Sequence, residues 1–267
     1  MTRKTNSNVV AISKADVAAW EHEYSLTGYT NVFNISLDEY FLKKIIKKIP
    51  QTDRRILILG CGSEINLQRK ILLSHAKIEQ IVCTDGSQTA IKLAQSNFSN
   101  EKICYVNIAH HEISNFITDI DSIIVCNSIL SASDQYNREV IGHCYKVLKN
   151  SGRLIGVFPS IFSPLEQAYH NKKFSNWISD GTIDLVNSLF KEPKGDFVQS
   201  FYPPSLLKKI FESNRFKLNS LEIIFFDSYK MMQHSEYIYG IDSNNGLPVW
   251  EYLVEASKYS LQAPVKK

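Results

Sequence analysis

The sequence predicts a doubly wound α/β fold. Two observations predict it. Short apolar runs recur at residues 54–59, 80–84, 103–106, 121–126 and 153–158, each closed by a polar or glycine turn. Helix-forming segments at 64–74, 87–95 and 134–148 fill gaps between them. Strands that alternate with helices at this spacing pair in parallel and are covered on both faces.

The elements follow in order. Ala15, Val17, Ala18 and Trp20 stand beside charged neighbours and predict a short helix over 14–24. Residues 25–34 are rich in Gly, Tyr, Thr and Asn and read as a loop. Leu37, Phe41, Leu42, Ile45, Ile46 and Ile49 recur at helical spacing, so a second helix runs over 36–49. Ser36 and Glu39 form a capping-box pattern at its start, and Pro50 follows its end. Ser87 is placed to cap the helix after the second strand. Residues 159–200 break the rhythm with Pro159, Pro164, Pro193 and many aromatics. They read as an insertion over the strand ends, with helical pieces and no clear strand. A helix over 204–213 and strands over 217–225 and 250–256 close the pattern.

Bulk properties narrow the function. The length of 267 residues suits one large domain, and a hydrophobic fraction of 44% supplies a sizeable core. A net charge of +3 gives no strong basic stripe of the kind a dedicated nucleic-acid binder carries. The cysteines Cys61, Cys83, Cys104, Cys126 and Cys144 form no C-x-x-C pair, which suits reduced thiols in a cytosol. No apolar run reaches the roughly 20 residues of a membrane span, and the first residues hold no apolar leader, so a cytoplasmic protein is expected. No His/Cys/Asp cluster has metal-ligand spacing, so no metal is expected.

A strand that ends in Gly60-Cys61-Gly62 before a helix lets backbone approach a ligand closely. Asp85 ends the next strand, at the distance from which an acid can bond ribose hydroxyls. A nucleoside ligand follows, either a dinucleotide or S-adenosylmethionine. The third glycine of a dinucleotide turn would fall at Ile65, which weighs against the first.

The succession of motifs then resembles the class I S-adenosylmethionine-dependent methyltransferases. The carriers are Ile56 to Gly62, Asp85, the turn Asn107-Ile108-Ala109, strand four from Ile120 to Asn127, the stretch Val147 to Leu154, the helix start Tyr202 to Leu207, and Trp250 to Ala256. The resemblance covers about three-quarters of the chain. It implies a Rossmann-like, seven-stranded, mostly parallel sheet with an antiparallel last strand. Residues 1–50 would form a helical cap, and 51–267 a methyltransferase domain with its lid near 159–200. It implies S-adenosylmethionine as cofactor, held by Gly60, Cys61, Gly62, Asp85, Gly86, Ser87, Asn107, Ile108 and Asn127. On that reading Asp85→Ala weakens cofactor affinity with little loss of folding.

The sequence departs from the family in three places. Ile58 stands where an acid is usual, Glu64 where a glycine often stands, and Asn107 where an Asp is usual. Glu64 is a candidate to meet the methionine ammonium in place of the missing acid, or a plain first-turn carboxylate. His110 and His111 follow strand three and are the candidate bases, or simply polar residues of a loop. Tyr24 and Tyr29 from the N-terminal segment, and Phe162, Tyr169 and Trp177 from the lid, are expected to line the acceptor pocket. The expected acceptor is an O or N atom of a small, partly apolar or aromatic metabolite. The rival readings are methylation of RNA or protein, and a cofactor-binding protein without activity. No membrane partner is expected, nucleic acid is disfavoured, and the oligomeric state stays open, a dimer among the options.

Overall fold

The structure, a computed structural model, describes residues 7–27, 39–192, 197–226 and 247–259. The first five apolar runs become strands β1 (Arg55–Leu59), β2 (Gln80–Asp85), β3 (Ile103–Asn107), β4 (Ile120–Cys126) and β5 (Leu148–Pro159). They pair in parallel, β1 with β2 and β4, β2 with β3, and β4 with β5. Two further strands, β9 (Phe216–Phe226) and β10 (Val249–Lys258), complete a seven-stranded sheet of order β3-β2-β1-β4-β5-β10-β9. β10 runs antiparallel to both of its neighbours, as expected.

The sheet is buried on both faces because its central strands are apolar throughout: Ile56, Leu57, Leu59, Ile123, Ile124 and Val125 are all fully buried. Each such side chain contributes about 1.5–3 kcal/mol of burial free energy. One face is covered by α2 (Glu39–Lys48), α3 (Asn66–Ser74) and α4 (Gln88–Asn97) through residues such as Phe41, Ile45, Ile71 and Ile91. The other is covered by α5 (Asp134–Val147) and α8 (Pro204–Ser213) through Val140, Ile141, Ile210 and Phe211. The chain runs outward from β1 to β3, then returns to place β4 beside β1. The strand order therefore reverses between β1 and β4, and the crevice beyond their carboxyl ends is where such sheets bind ligands.

Helix boundaries show where local chemistry governs. Ser87 caps α4 by accepting from the Ala90 N–H at 3.0 Å, as its position predicts. The first helix is longer than expected: α1 spans Ser7–Thr27. The capping-box residue Ser36 lies outside the described residues.

The insertion differs from its sequence reading. It holds α6 (Phe162–His170) and α7 (Phe174–Ser179), but also three short strands, β6 (Ile183–Asp184), β7 (Leu189–Lys191) and β8 (Val198–Ser200). These form a small antiparallel sheet of order β6-β7-β8. Strands of two or three residues carry too little alternation for a sequence pattern to register. Among the described residues no helix is long and apolar enough to cross a membrane.

Candidate functional site

β1 delivers the chain to Gly60 (φ +67°) and Gly62 (φ +59°), both in the left-handed region that favours glycine. Gly60 also has no room for a side chain. A Cβ there would lie 2.2 Å from the Cβ of Ser128, just beyond β4. Ser128 Oγ donates to the Leu59 carbonyl at 2.6 Å, so the β1 and β4 ends are tied together at this point.

Asp85, at the end of β2, is buried beneath the turn. Its Oδ2 accepts from the Gly62 N–H at 3.0 Å and its Oδ1 from the Ser87 N–H at 2.9 Å. Burial, with the nearby charge of Glu21, raises its pKa to about 6 against the backbone N–H groups of Ser87, Gly62 and Gly86, which lower it. A carboxylate has about four lone-pair sites, so these bonds leave little capacity for a ligand. Asn107 supports the turn after β2, donating through Nδ2 to the carbonyls of Asp85 and Gly86. Ile108 bonds the Asp85 carbonyl through its N–H and buries its side chain in the core.

α1 lies over the strand ends. Val17 packs on Gly86 so closely that a Cβ there would meet its Cγ2 at 2.7 Å. Glu21 reaches the start of α4, accepting from Ser87 Oγ at 2.6 Å, Thr89 Oγ1 at 2.5 Å and the Thr89 N–H at 3.2 Å. A carboxylate at a helix N-terminus satisfies free N–H groups and complements the helix dipole. These contacts leave a partly open cavity of about 120 Å³. Its walls include Asp16, Val17, Trp20 and Tyr24 of α1, Gly60, Asp85, Gly86, Ser87, His110, Asn127 and Ser128 at the strand ends, and Leu130, Ser131, Tyr136, Phe197, Val198 and Gln199. Trp20 and Phe197 meet with ring centroids 5.3 Å apart.

Of the expected site residues, the fold brings Gly60, Asp85, Gly86, Ser87, Asn127, His110 and Tyr24 onto this cavity. Cys61, Gly62, Asn107 and Ile108 lie off its walls, and the Cys61 side chain belongs to the core. Glu64 stands by Asn66, 3.4 Å away, and is also off the cavity. The lid aromatics are elsewhere: Trp177 packs on Phe190 in the core, 6.1 Å between centroids, while Tyr169 and Phe162 are exposed. Tyr29 falls outside the described residues. Trp20 and Tyr24, four apart on α1, take the place expected for the lid aromatics.

The two histidines separate sharply. Both belong to a short 3-10 helix, His110–Asn115. His110 is on the cavity, bonded to the Ser128 backbone; burial lowers its pKa to about 4, and Nε2 is buried with no partner. His111 turns away and packs on Tyr136 at 5.8 Å. Asn127, also left-handed at φ +47°, holds Glu251 of β10 through Nδ2 and leaves its own Oδ1 buried without a partner.

The buried unpartnered acceptors around the glycine cradle fit a ligand rich in N–H and O–H groups, and the family comparison agrees. Residues 36–176, more than half of the chain, match the family model described as methyltransferase small domain. The chain belongs to this family. It is an S-adenosylmethionine-dependent methyltransferase. No curated protein sequence matches it. Among solved structures, it is similar to an S-adenosylmethionine-dependent methyltransferase from Methanosarcina mazei, with a TM-score of 0.59 and 17% identity over 80% of this chain and 96% of that one. It is also similar to a magnesium protoporphyrin IX methyltransferase from Synechocystis with bound S-adenosylhomocysteine, at a TM-score of 0.59 and 12% identity over 91% of this chain and all of that one. At such identities the likeness is one of fold.

In the methyltransferase the histidine geometry makes a direct prediction. His110→Ala should weaken S-adenosylhomocysteine binding about tenfold, the weight of one lost hydrogen bond. His111→Ala should lower the melting temperature through its lost packing and leave that affinity unchanged. Calorimetric titration and thermal melts of both variants check this, and equal effects on affinity would sink the distinction.

Proposed function

We propose that the methyltransferase transfers a methyl group to an O or N atom of a small, partly apolar or aromatic metabolite in the cytosol. The observation that carries this reading is the cover that α1 places over the strand ends, which leaves a small, partly open pocket there. Apart from the strand-end groups Asp85, Ser87, Asn127 and Ser128, its walls are mostly apolar (Val17, Trp20, Tyr24, Leu130, Phe197, Val198) with a few polar groups (Asp16, His110, Ser131, Gln199). Such a mixture suits a small molecule.

Gly60, Asp85, Gly86, Ser87 and Asn127 hold the donor, and α1 serves as the cap over it, whereas α2, also within the expected cap of residues 1–50, packs on a face of the sheet. The bound donor supplies a methyl group already activated on sulfonium sulfur. The protein's part is then orientation and exclusion of water. α1 excludes water by covering the strand ends. His110, held neutral by burial with its pKa lowered to about 4, accepts a hydrogen bond from the bound donor through Nε2 and so positions it; at that pKa it is too weak a base to draw a proton from the acceptor at neutral pH. A cavity of about 120 Å³ is smaller than the roughly 300 Å³ at which ligand sites begin, so α1 withdraws to admit both molecules.

Transfer of a radiolabelled methyl group tests the reading. Label should appear in fractions of small aromatic or partly apolar metabolites. Label confined to bulk RNA or protein would overturn the acceptor class, and no transfer to any fraction would favour a binding protein.

A further inference from the structure

Glu251 is a buried carboxyl at the carboxyl end of the sheet that no step above uses. It is 5% exposed and sits opposite Pro159 of β5 and Ile224 of β9. Strand alternation puts it on the same face as Val249 and Leu253, and both belong to the apolar cluster that contains Ile58, Ile124 and Val157. Its hydrogen-bond partner is Asn127, whose Nδ2 lies 2.9 Å from Oε1 and 2.8 Å from Oε2. That amide spends its donors on Glu251 and keeps an acceptor, Oδ1, buried and unpartnered at the cavity wall. Leaving a buried acceptor unsatisfied costs about 1–3 kcal/mol, a cost that a ligand N–H removes.

We propose that Asn127 and Glu251 together receive the α-ammonium group of the bound donor. Asn127 Oδ1 accepts an N–H from the ammonium, and Glu251, acting through Asn127, is a positioning residue that supplies the opposing charge. The inference rests on the donor reading of the cavity. The Gly-rich turn itself offers no anion for this charge. Ile58 is 3% exposed within the core, and Glu64 is off the cavity.

The surroundings of Glu251 set its protonation. Burial pushes its carboxyl up to about 8. The titratable neighbour is the Cys126 thiol on β4, itself pushed up to about 12 and neutral. The facing residues of β5 and β9, Pro159 and Ile224, carry no charge, and Glu166 of α6 accepts from the Trp250 indole N–H. At pH 7 the empty site therefore holds a neutral acid. When an ammonium arrives, the carboxyl ionises and its proton leaves to solvent.

Calorimetry in two buffers of different ionisation enthalpy reads that proton. At pH 7, S-adenosylhomocysteine should release about one proton per ligand. 5′-Methylthioadenosine, which lacks the amino-acid group, should release none. Glu251→Gln keeps an acceptor for Asn127 and should fold. It should bind S-adenosylhomocysteine about tenfold more weakly with no proton release, and bind 5′-methylthioadenosine as the wild type does. If neither ligand binds the wild type, the donor reading itself fails. If both bind and proton release is absent, or equal for the two, the donor reading stands and the role of Glu251 is overturned.

Discussion

Gly60→Ala should abolish donor binding and lower the melting temperature by several degrees. Two costs add at this position. A residue with a Cβ at φ +67° carries about 1–2 kcal/mol of backbone strain. The Cβ must also occupy space 2.2 Å from Ser128 Cβ, 2.8 Å from its Oγ and 3.3 Å from His110 Cε1. Relief means pushing β1 and β4 apart, which breaks the Ser128–Leu59 bond and widens the crevice. At roughly 2–4 °C per kcal/mol for a chain of this size, the fall is easily measured. Gly181→Ala is the matched control. Gly181 has φ +78° with nothing within 4 Å of the added Cβ, so it carries strain alone and should bind S-adenosylhomocysteine normally. A Gly60→Ala protein with ordinary affinity would show that the crevice tolerates opening.

Asp85→Ala should lose both affinity and stability, and here the structure revises the sequence. The sequence spends this carboxylate on the ligand, which predicts a well-folded variant. In the fold it also accepts from the Gly62 and Ser87 N–H groups. Removing it strands two buried donors, at about 1–3 kcal/mol each. The pH dependence has a definite sign. Burial raises Asp85 from 3.8 to about 6, so the folded state binds the proton more tightly than the unfolded state does. Its contribution makes stability fall as pH rises from about 4 to about 6, by on the order of 3 kcal/mol. Asp85→Asn should flatten that stretch of the melting-temperature profile. Asp85→Ala that melts like the wild type would show that these bonds carry no structural weight.

Much of the sheet is legible because fully buried strands announce themselves as unbroken apolar runs, as at Ile56–Leu59 and Ile123–Val125. Ser87 is legible for a local reason, since a cap bonds three residues ahead. The site is less legible because its geometry is not local. Asn127 and Glu251 are 124 residues apart and meet only because β10 threads between β5 and β9. His110 and His111 are neighbours in sequence, and only the 3-10 turn decides which faces the cavity. Trp177 belongs to an aromatic-rich stretch that reads as pocket lining, yet its ring fills core beside Phe190. Asp16 and Val17, Trp20 with Glu21, and Tyr24 repeat at helical spacing, a signal for one working face that composition alone obscures.

The position of β10 has a consequence for biosynthesis. Residues 249–258 are made after every other strand of the sheet, yet they belong between β5 and β9. On the ribosome, β5 therefore presents an unpaired edge for about 90 residues of further synthesis, and β9 emerges with no partner. Exposed strand edges recruit other chains. The nascent protein must shield that edge until its final strand emerges, so a premature stop before residue 249 would release a sticky, half-built sheet rather than a smaller working one.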